Sequence, residues 1–331
     1  MRRDENGYVV TAAARAEIRY ADDDAQYDRQ QSISAIRKCL KAARVRSKYA
    51  VCGIYGPDVA VRSFCFPPLP AEELEQAVLL EAEQVCPFDM DRFVIDYQII
   101  NTETADADKG KEDAAASSIR GILAAATTEV ISKRKQLIKD ASLHCVFMDV
   151  NSLAPLNCFM AFEERGPGQT LAILDIGSSY TNLTVRGRKG LPFIRDIEYG
   201  GNDIIKRLAR ECQIPLQAAR KILWSSDVTL PQRGYDDMLE KACSKLLTNI
   251  TQTLRYYTVQ ESAPIDTIYV CGGFAQARSI ILLLDSHMPC AVKQWNPFPK
   301  IRCQDKAPGT EVLKAHGPAM VVAAGLAMRM F

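Results

Sequence analysis

The chain has 331 residues, of which 47% are hydrophobic, so it is long enough for two domains of ordinary size with a sizeable core. Its 41 lysines and arginines nearly balance 40 aspartates and glutamates, and a formal net charge of +1 gives no general attraction to nucleic acid. A local basic run at residues 132–139 is therefore interpreted as the solvated face of a helix.

Cysteine usage and the distribution of apolar residues indicate the compartment. The eleven cysteines are scattered without a Cys-x-x-Cys pair, which favours free thiols in a reducing cytosol over a disulfide framework. The three histidines have no metal-binding spacing. The first ten residues are charged, and no apolar run reaches the roughly 18 residues of a membrane helix. We expect a cytoplasmic protein that reaches a membrane only through partners.

The first third of the chain alternates apolar strands with amphipathic helices. Apolar residues at helical spacing predict one helix, and Pro70 followed by two glutamates is typical of the start of another. A polar, charged stretch without periodicity predicts a mobile loop. The predicted elements are strands at 7–20, 49–56, 59–70 (whose end runs into prolines) and 93–100, helices at 33–45 and 70–88, and the loop at 101–118.

A strand-helix-strand-helix run follows. Its first helix begins at a hydroxyl cap, for which both Thr127 and Thr128 qualify. The segment 163–170 carries two glycines and a proline, and we place the main domain boundary there. The elements of this run are strands at 119–126 and 145–150 and helices at 127–142 and 152–162.

The second half predicts a hairpin, a strand and glycine turn entering a helix, two further helices, a second strand and glycine turn, and a final helix opened by Pro318. The long helix at 238–260 carries an apolar stripe that we interpret as core packing. The whole order of elements is that of an α/β protein with mixed sheets. The stripe consists of Leu239, Cys243, Leu246, Leu247, Ile250, Leu254 and Tyr257.

The hairpin at 171–185 carries the chemistry that suits a phosphate. A glycine in its turn lets backbone N–H groups face an anion, and small hydroxyl side chains add donors. A carboxylate at the end of a buried strand can orient the waters of Mg²⁺. The alternative is a tight polar hairpin without a ligand. The candidate ligand-binding residues are Asp175, which is also the candidate metal ligand, with Gly177, Ser178, Ser179, Thr181 and Asn182.

Two further glycine turns follow apolar strands in the same half of the chain. Gly200 and Gly201 enter a helix, as do Gly272 and Gly273. Backbone at such a turn can approach a phosphate or a ring at a helix N-terminus. Each pair is weak evidence alone, but three glycine turns together predict a crevice lined by backbone.

These motifs and their order resemble the PilM family of type IV pilus assembly proteins. The matching segments are 69–100, 122–154, 174–185, 197–209, 250–257, 270–280, 296–298 and 317–329, and the resemblance extends over nearly the whole chain. The resemblance implies an α/β, two-lobed, actin-like ATPase fold with a small α+β subdomain inserted in the first lobe. It places the first lobe at 1–162 with its insertion at about 64–118, and the second lobe at 163–331 with a smaller subdomain at about 202–262.

The resemblance also implies a function. Members of this family act as cytoplasmic adaptors of the pilus platform, binding the N-terminal cytoplasmic peptide of PilN between the first-lobe core and the inserted subdomain. Here the inserted side of that groove corresponds to residues 74–97. PilN connects them to PilO and PilP, and they link the platform to the pilus motor ATPases. The cytoplasmic part of a type II secretion system is a more distant resemblance. A small-molecule kinase of the same superfamily would need a general base, which this sequence does not offer.

The sequence departs from the family pattern where ATP and Mg²⁺ would bind. The family's first D-I-G-S phosphate loop has no match, so the chain is expected to start at the second strand of the pattern or to have a truncated start, and to leave an exposed sheet edge in the first lobe. Ala219 and Ile222 stand where the family has glutamate and lysine. Phe274 and Arg278 stand in its glycine-rich adenosine loop. These departures predict weak or absent ATP binding and no catalytic residue, and ATP binding by a truncated member is the alternative.

Overall fold

The protein is described by a computed structural model. The structure describes residues 1–5, 7–18, 25–86, 92–100, 118–164, 166, 168–188, 190–224 and 232–329, and the side chains of residues 25–28 and 232–233 are not described. All but the last residue of the predicted loop at 101–118 lies outside these ranges.

The first half of the chain contains seven described strands and four helices, and most predicted elements are confirmed. The helix that was predicted from residue 33 starts earlier, at residue 25. The elements are β1 (Arg2–Asp4), β2 (Gly7–Val10), α1 (Ala25–Ala42), β3 (Tyr49–Ile54), β4 (Val59–Phe66), α2 (Ala71–Val85), β5 (Phe93–Ile99), β6 (Ile119–Thr127), α3 (Thr128–Asp140), β7 (His144–Val150) and α4 (Ala154–Phe162).

The second half confirms the hairpin, the two strand-turn-helix units and the long helix. Short 3₁₀ turns follow the second glycine pair and precede the last helix. The elements are β8 (Leu171–Ile176), β9 (Thr181–Arg186), β10 (Pro192–Ile197), α5 (Gly201–Cys212), α6 (Leu216–Trp224), α7 (Gln232–Glu261), β11 (Thr267–Cys271), α8 (Ile280–His287), β12 (Ala291–Gln294), β13 (Arg302–Cys303), α9 (Glu311–His316) and α10 (Val321–Ala327).

The main sheet has the strand order β10-β9-β8-β11-β12. β8 pairs antiparallel with β9 and parallel with β11. Both faces of β8 are covered, because Leu171 and Ile173 lie in one hydrophobic cluster whereas Leu174 and Ile176 lie in another. A strand buried on both faces reads as a continuous apolar run, which explains the sequence of β8.

Helix α7 provides much of the larger cluster. Every residue of its predicted apolar stripe is buried there, so the interpretation as core packing is confirmed. Four of those side chains, including Leu246 and Ile250, are fully inaccessible, and each one buried contributes roughly 1.5–3 kcal/mol.

Two smaller sheets lie in the first half. The antiparallel sheet β4-β6-β5 packs against α2, whose buried Leu74, Val78 and Ala82 meet Phe64 and Leu123. Strands β3 and β7 pair in parallel, and α1 and α3 lie beside them. Both sheets and their helices lie within residues 1–162, which the sequence analysis assigns to the first lobe. The boundaries of the lobes stay predictions.

The two ends of the chain meet, which local patterns did not indicate. β1 and β2 form a hairpin, and β2 pairs in parallel with β13. The strand predicted over 7–20 is wrong for residues 11–18, because the backbone after Val10 leaves the sheet and the Ala13 N–H donates to the Pro308 carbonyl at 3.0 Å, and residues 19–20 lie outside the described residues. The final helix is also corrected, since Gly317–Met320 is a 3₁₀ turn and α10 begins at Val321. The short elements β1, β13 and α9 were not predicted.

Candidate functional site

The turn between β8 and β9 borders a cavity of about 230 Å³. The N–H of Gly177 donates to the carbonyl of Tyr180 at 3.0 Å and closes the turn. Five of the predicted residues lie together on the cavity wall, and the opposite wall comes from the end of β3 and from the segment after β7. The predicted residues are Asp175, Gly177, Ser178, Ser179 and Asn182, and the others include Ile54, Tyr55, Gly56, Asn151, Ser152, Tyr180 and Asp196.

Asp175 lies at the base of this cavity. Burial raises the pKa of its carboxyl from 3.8 to about 6, because the charged form loses water. Gly272 passes directly over it with φ +92°, and a Cβ at that position would clash with the Asp175 Oδ1 atom. The second glycine turn therefore makes room for the carboxylate, a close approach that only glycine allows.

Thr181 and the first glycine pair face the protein rather than the cavity. The Thr181 hydroxyl is fully buried and donates to the Tyr199 carbonyl at 2.8 Å. At the start of α5, the N–H groups of Gly201 and Asn202 donate to the carbonyls of Gly177 and Ser178, at 2.9 and 2.8 Å. These helix N-terminal donors hold the turn in place and are not directed to a ligand.

The second glycine pair has a similar internal role. The Gly272 N–H donates to the Pro318 carbonyl at 2.8 Å and ties the turn to the C-terminal segment. Gly273 is exposed, and a Cβ there would meet nothing within 4 Å. Neither residue lines the cavity.

The side chains at the predicted nucleoside positions pack against other parts of the protein. Phe274 is only 3% exposed, packs against Gly201, and lies edge-on to Trp224 with ring centroids 5.5 Å apart. Ala219 is fully buried in the same cluster. The guanidinium of Arg278 lies 4.9 Å from the ring centroid of Tyr235. The side chains of Phe274 and Ala219 are therefore part of the hydrophobic core.

ATP with Mg²⁺ does not fit this arrangement as a whole. The carboxylate of Asp175 and the hydroxyls of Ser178 and Ser179 suit a hydrated cation or a small anion. The cavity of about 230 Å³ is smaller than the roughly 300–1,000 Å³ of sites for drug-sized ligands. Among the described residues, no group of three or more His, Cys, Asp or Glu side chains could hold a metal.

The sequence interpretation missed several residues of this site. Tyr55 and Tyr180 form an edge-on aromatic pair at its wall, with centroids 6.1 Å apart. Asp196 accepts a hydrogen bond from the side-chain amide of Asn182. Tyr180 stands inside the quoted motif, so it could have been named. Tyr55 and Asp196 carry no local signal, because strand pairing and lobe packing bring them to the cavity.

We refer to the surface between the outer face of β5 and the end of β7 as the groove, after the peptide groove that the family resemblance implies. Phe93, Ile95 and Tyr97 of β5 pack inward, so the alternate residues Val94 and Asp96 are exposed on the outer face. β5 is also an edge strand of its sheet, with backbone groups open to pairing.

The C-terminal Arg329 spans this groove. Its guanidinium donates to the buried Asp149 and lies 5.3 Å from the ring centroid of the partly exposed Phe147. The hydrogen bond to Asp149 raises the pKa of Arg329, and the charge of Asp96 adds to that effect. The outer face of β5 therefore lies close to the end of β7.

A larger cleft of about 990 Å³ lies between β4, β10 and α7. None of the predicted site residues lines it, and its wall mixes basic residues such as Arg62 and Arg195 with the acidic Asp196 and Glu198. This mixture does not select one class of ligand.

Comparison with known proteins identifies the family. The model of a family described as type IV pilus assembly protein PilM matches residues 1–331, the whole chain. This chain belongs to the PilM family. The fold agrees, because a chain of a solved PilM-PilN type IV pilus biogenesis complex superimposes with a TM-score of 0.72 at 26% sequence identity. The match covers 91% of this PilM chain and 85% of that chain, and it confirms the predicted fold class.

Weaker similarities extend to other solved structures. Ethanolamine utilization protein EutJ from Carboxydothermus hydrogenoformans has 15% identity and a TM-score of 0.44, over 61% of each chain. MreB 5 of Spiroplasma citri, solved with AMPPNP, has 16% identity and a TM-score of 0.41, over 61% of this PilM chain and 64% of that chain. Among the described residues, this PilM chain has no helix that is both long and apolar enough to cross a membrane.

Proposed function

We propose that this chain is a cytoplasmic adaptor of the type IV pilus assembly platform that binds the N-terminal cytoplasmic peptide of a PilN-type inner-membrane protein. The observation that carries the proposal is the match of the PilM family over residues 1–331. The similarity to a chain of a PilM-PilN complex supports the choice of partner. Through that partner the protein would reach PilO and PilP, the pilus motor ATPases and the inner membrane.

The groove between β5 and β7 is the place we assign to the peptide. Val94 is 51% exposed and Phe147 is 37% exposed, so the groove offers apolar surface that a partner can cover. Arg329 supplies a cation beside them. The open edge of β5 can form backbone hydrogen bonds with an extended peptide segment. Contacts between the exposed side chains of the groove and those of the peptide then make the binding sequence-specific.

A substitution in the groove tests this assignment. Val94→Asp places a charge on the apolar wall without touching the core, and we expect it to weaken binding of a PilN-type peptide at least about tenfold. Val259→Asp is the matched control, because Val259 is 80% exposed on α7 and lies outside the groove. Isothermal titration calorimetry with the synthetic peptide measures both.

The outcomes separate the parts of the proposal. If the unmodified chain binds no PilN-type peptide, the adaptor function is wrong. If it binds the peptide and Val94→Asp binds equally well, the function stands and the position of the groove is wrong.

The same titration with Mg-ATP tests the role of nucleotide. Because Phe274 is buried in the hydrophobic core and the α5 donors are used internally, we expect no heat of binding at micromolar concentrations. Micromolar affinity would instead support the alternative of an ATP-binding member, and the adaptor would then act together with nucleotide.

A further inference from the structure

One end of the two-stranded sheet concentrates positive charge. β3 and β7 run parallel, so both start at the same end, where α1 and α3 finish. Eight exposed cations lie near this end, and we refer to them as the basic end. They are Arg37, Lys38, Lys41, Arg44, Arg46 and Lys48 from α1 and the loop after it, and Lys135 and Lys139 from α3.

The charge of the basic end is local. Residues 37–48 contain six basic and no acidic residues, whereas the whole chain has a net charge of only +1. Two nearby acids are engaged, since Asp140 pairs with Arg29 and Glu129 pairs with Lys133. The packing of α1 against α3 joins two runs that are 90 residues apart in sequence into one surface.

Helix stabilisation explains only a part of this cluster. Lys41 and Lys139 lie in the last turns of α1 and α3, where a cation meets the negative end of the helix dipole. Arg44, Arg46 and Lys48 lie beyond the end of α1 and do not serve that purpose.

Two exposed apolar side chains alternate with those three cations. Val45 is 40% exposed and Tyr49 is 68% exposed, and the Tyr49 ring lies 6.3 Å from that of His144. Aromatic side chains of this kind prefer the boundary between lipid headgroups and acyl chains, and clustered lysines and arginines are attracted to anionic headgroups.

We propose that the basic end docks on the surface of an anionic phospholipid bilayer. An acidic peptide would pair with a line of cations in a groove. Eight exposed cations near Val45 and Tyr49 instead match a surface that offers both anionic headgroups and an apolar interior. Electrostatic attraction and shallow apolar insertion together provide the two signals that stable peripheral binding needs. This inference does not depend on the peptide groove, which involves different residues.

Co-sedimentation of the full chain with vesicles tests the proposal. Binding should rise with the fraction of phosphatidylglycerol in phosphatidylcholine vesicles and fall with salt, because the attraction is screened. The triple variant Lys38→Glu, Arg46→Glu and Lys48→Glu should lower the partition coefficient at least about tenfold. Tyr49→Ser should lower it as well, with less effect on its salt dependence. The matched control is Lys206→Glu, Lys221→Glu and Lys241→Glu, three exposed lysines on other helices with the same change in net charge.

Three results would overturn the proposal. One is equal binding to vesicles with and without phosphatidylglycerol. Another is an equal loss in the control variant, which would mean that total charge alone decides. Binding to polyglutamate without binding to phosphatidylglycerol vesicles would assign the basic end to an acidic protein and also reject the bilayer.

Calorimetry of the triple variant with a PilN-type peptide keeps the two functions apart, because peptide affinity should be unchanged.

Discussion

Asp175 is the residue whose surroundings most affect its chemistry. Its pKa is raised by burial to about 6, against 3.8 when it is freely solvated. Between these values the folded chain holds a proton that the unfolded chain has released, so stability falls as pH rises from about 4 to 6 and stays low above that. Asp175→Asn removes the ionisation while keeping the shape. We expect it to raise the free energy of unfolding at pH 7.5 by up to about 3 kcal/mol and to change it little at pH 4.

Urea unfolding across this pH range measures the effect. Asp237→Asn provides the control, since Asp237 is an exposed acid on α7. If the free energy of unfolding changes with pH in the same way for the unmodified chain and for Asp175→Asn, ionisation of the Asp175 carboxyl in the folded chain costs little stability. Asp175 would then be a better candidate for holding a cation.

At the scale of elements, helix α3 shows how a cap is chosen. The sequence allows either Thr127 or Thr128 as the N-cap of α3. In the structure the N-cap is Thr127, whose hydroxyl accepts a hydrogen bond from the Val130 N–H at 3.3 Å. Thr127→Ala should lower the free energy of unfolding by about 1 kcal/mol, because an orphan N–H loses its partner. Thr128→Ala should change it by much less, and a comparison of urea midpoints decides. An equal loss in both variants would contradict the assignment of the cap.

At the scale of the whole molecule, α10 joins the sheets. It packs against α4 and β3, and its Ala324 lies in the same cluster as Ile173 of the main sheet. A Cβ at Gly325 would clash with the backbone carbonyl of Ala154 in α4. Gly325→Ala should therefore force the helices apart and cost about 1–3 kcal/mol in thermal or urea unfolding.

Gly234 gives a matched comparison for that substitution. It lies in α7, and a Cβ there meets nothing within 4 Å, so Gly234→Ala should leave stability unchanged or raise it by up to about 1 kcal/mol. Equal effects of the two alanine substitutions would mean that the close approach of α10 to α4 is not needed.

The success of the sequence-based interpretation depended on how local each signal was. The apolar stripe of α7 and the alternation of the hairpin β8–β9 are signals that recur within a few residues. The hairpin was predicted with nearly correct bounds, whereas α7 begins at Gln232 and not at the predicted residue 238. The strand expected at 7–20 failed beyond Val10, because contacts with residues 302–309 near the other end of the chain decide its course. Strand β13 has two residues, too few for any periodicity.

The sequence by itself determined the family, the α/β class and the turn between β8 and β9, because these depend on residue order, alternation and glycine placement. Only the tertiary structure decided what the turns do. It directs the first N–H groups of α5 to the carbonyls of Gly177 and Ser178, buries Phe274 against Gly201, and brings the ends of α1 and α3 together. Such contacts join residues distant along the chain, so their partners are set by packing, which no local pattern encodes.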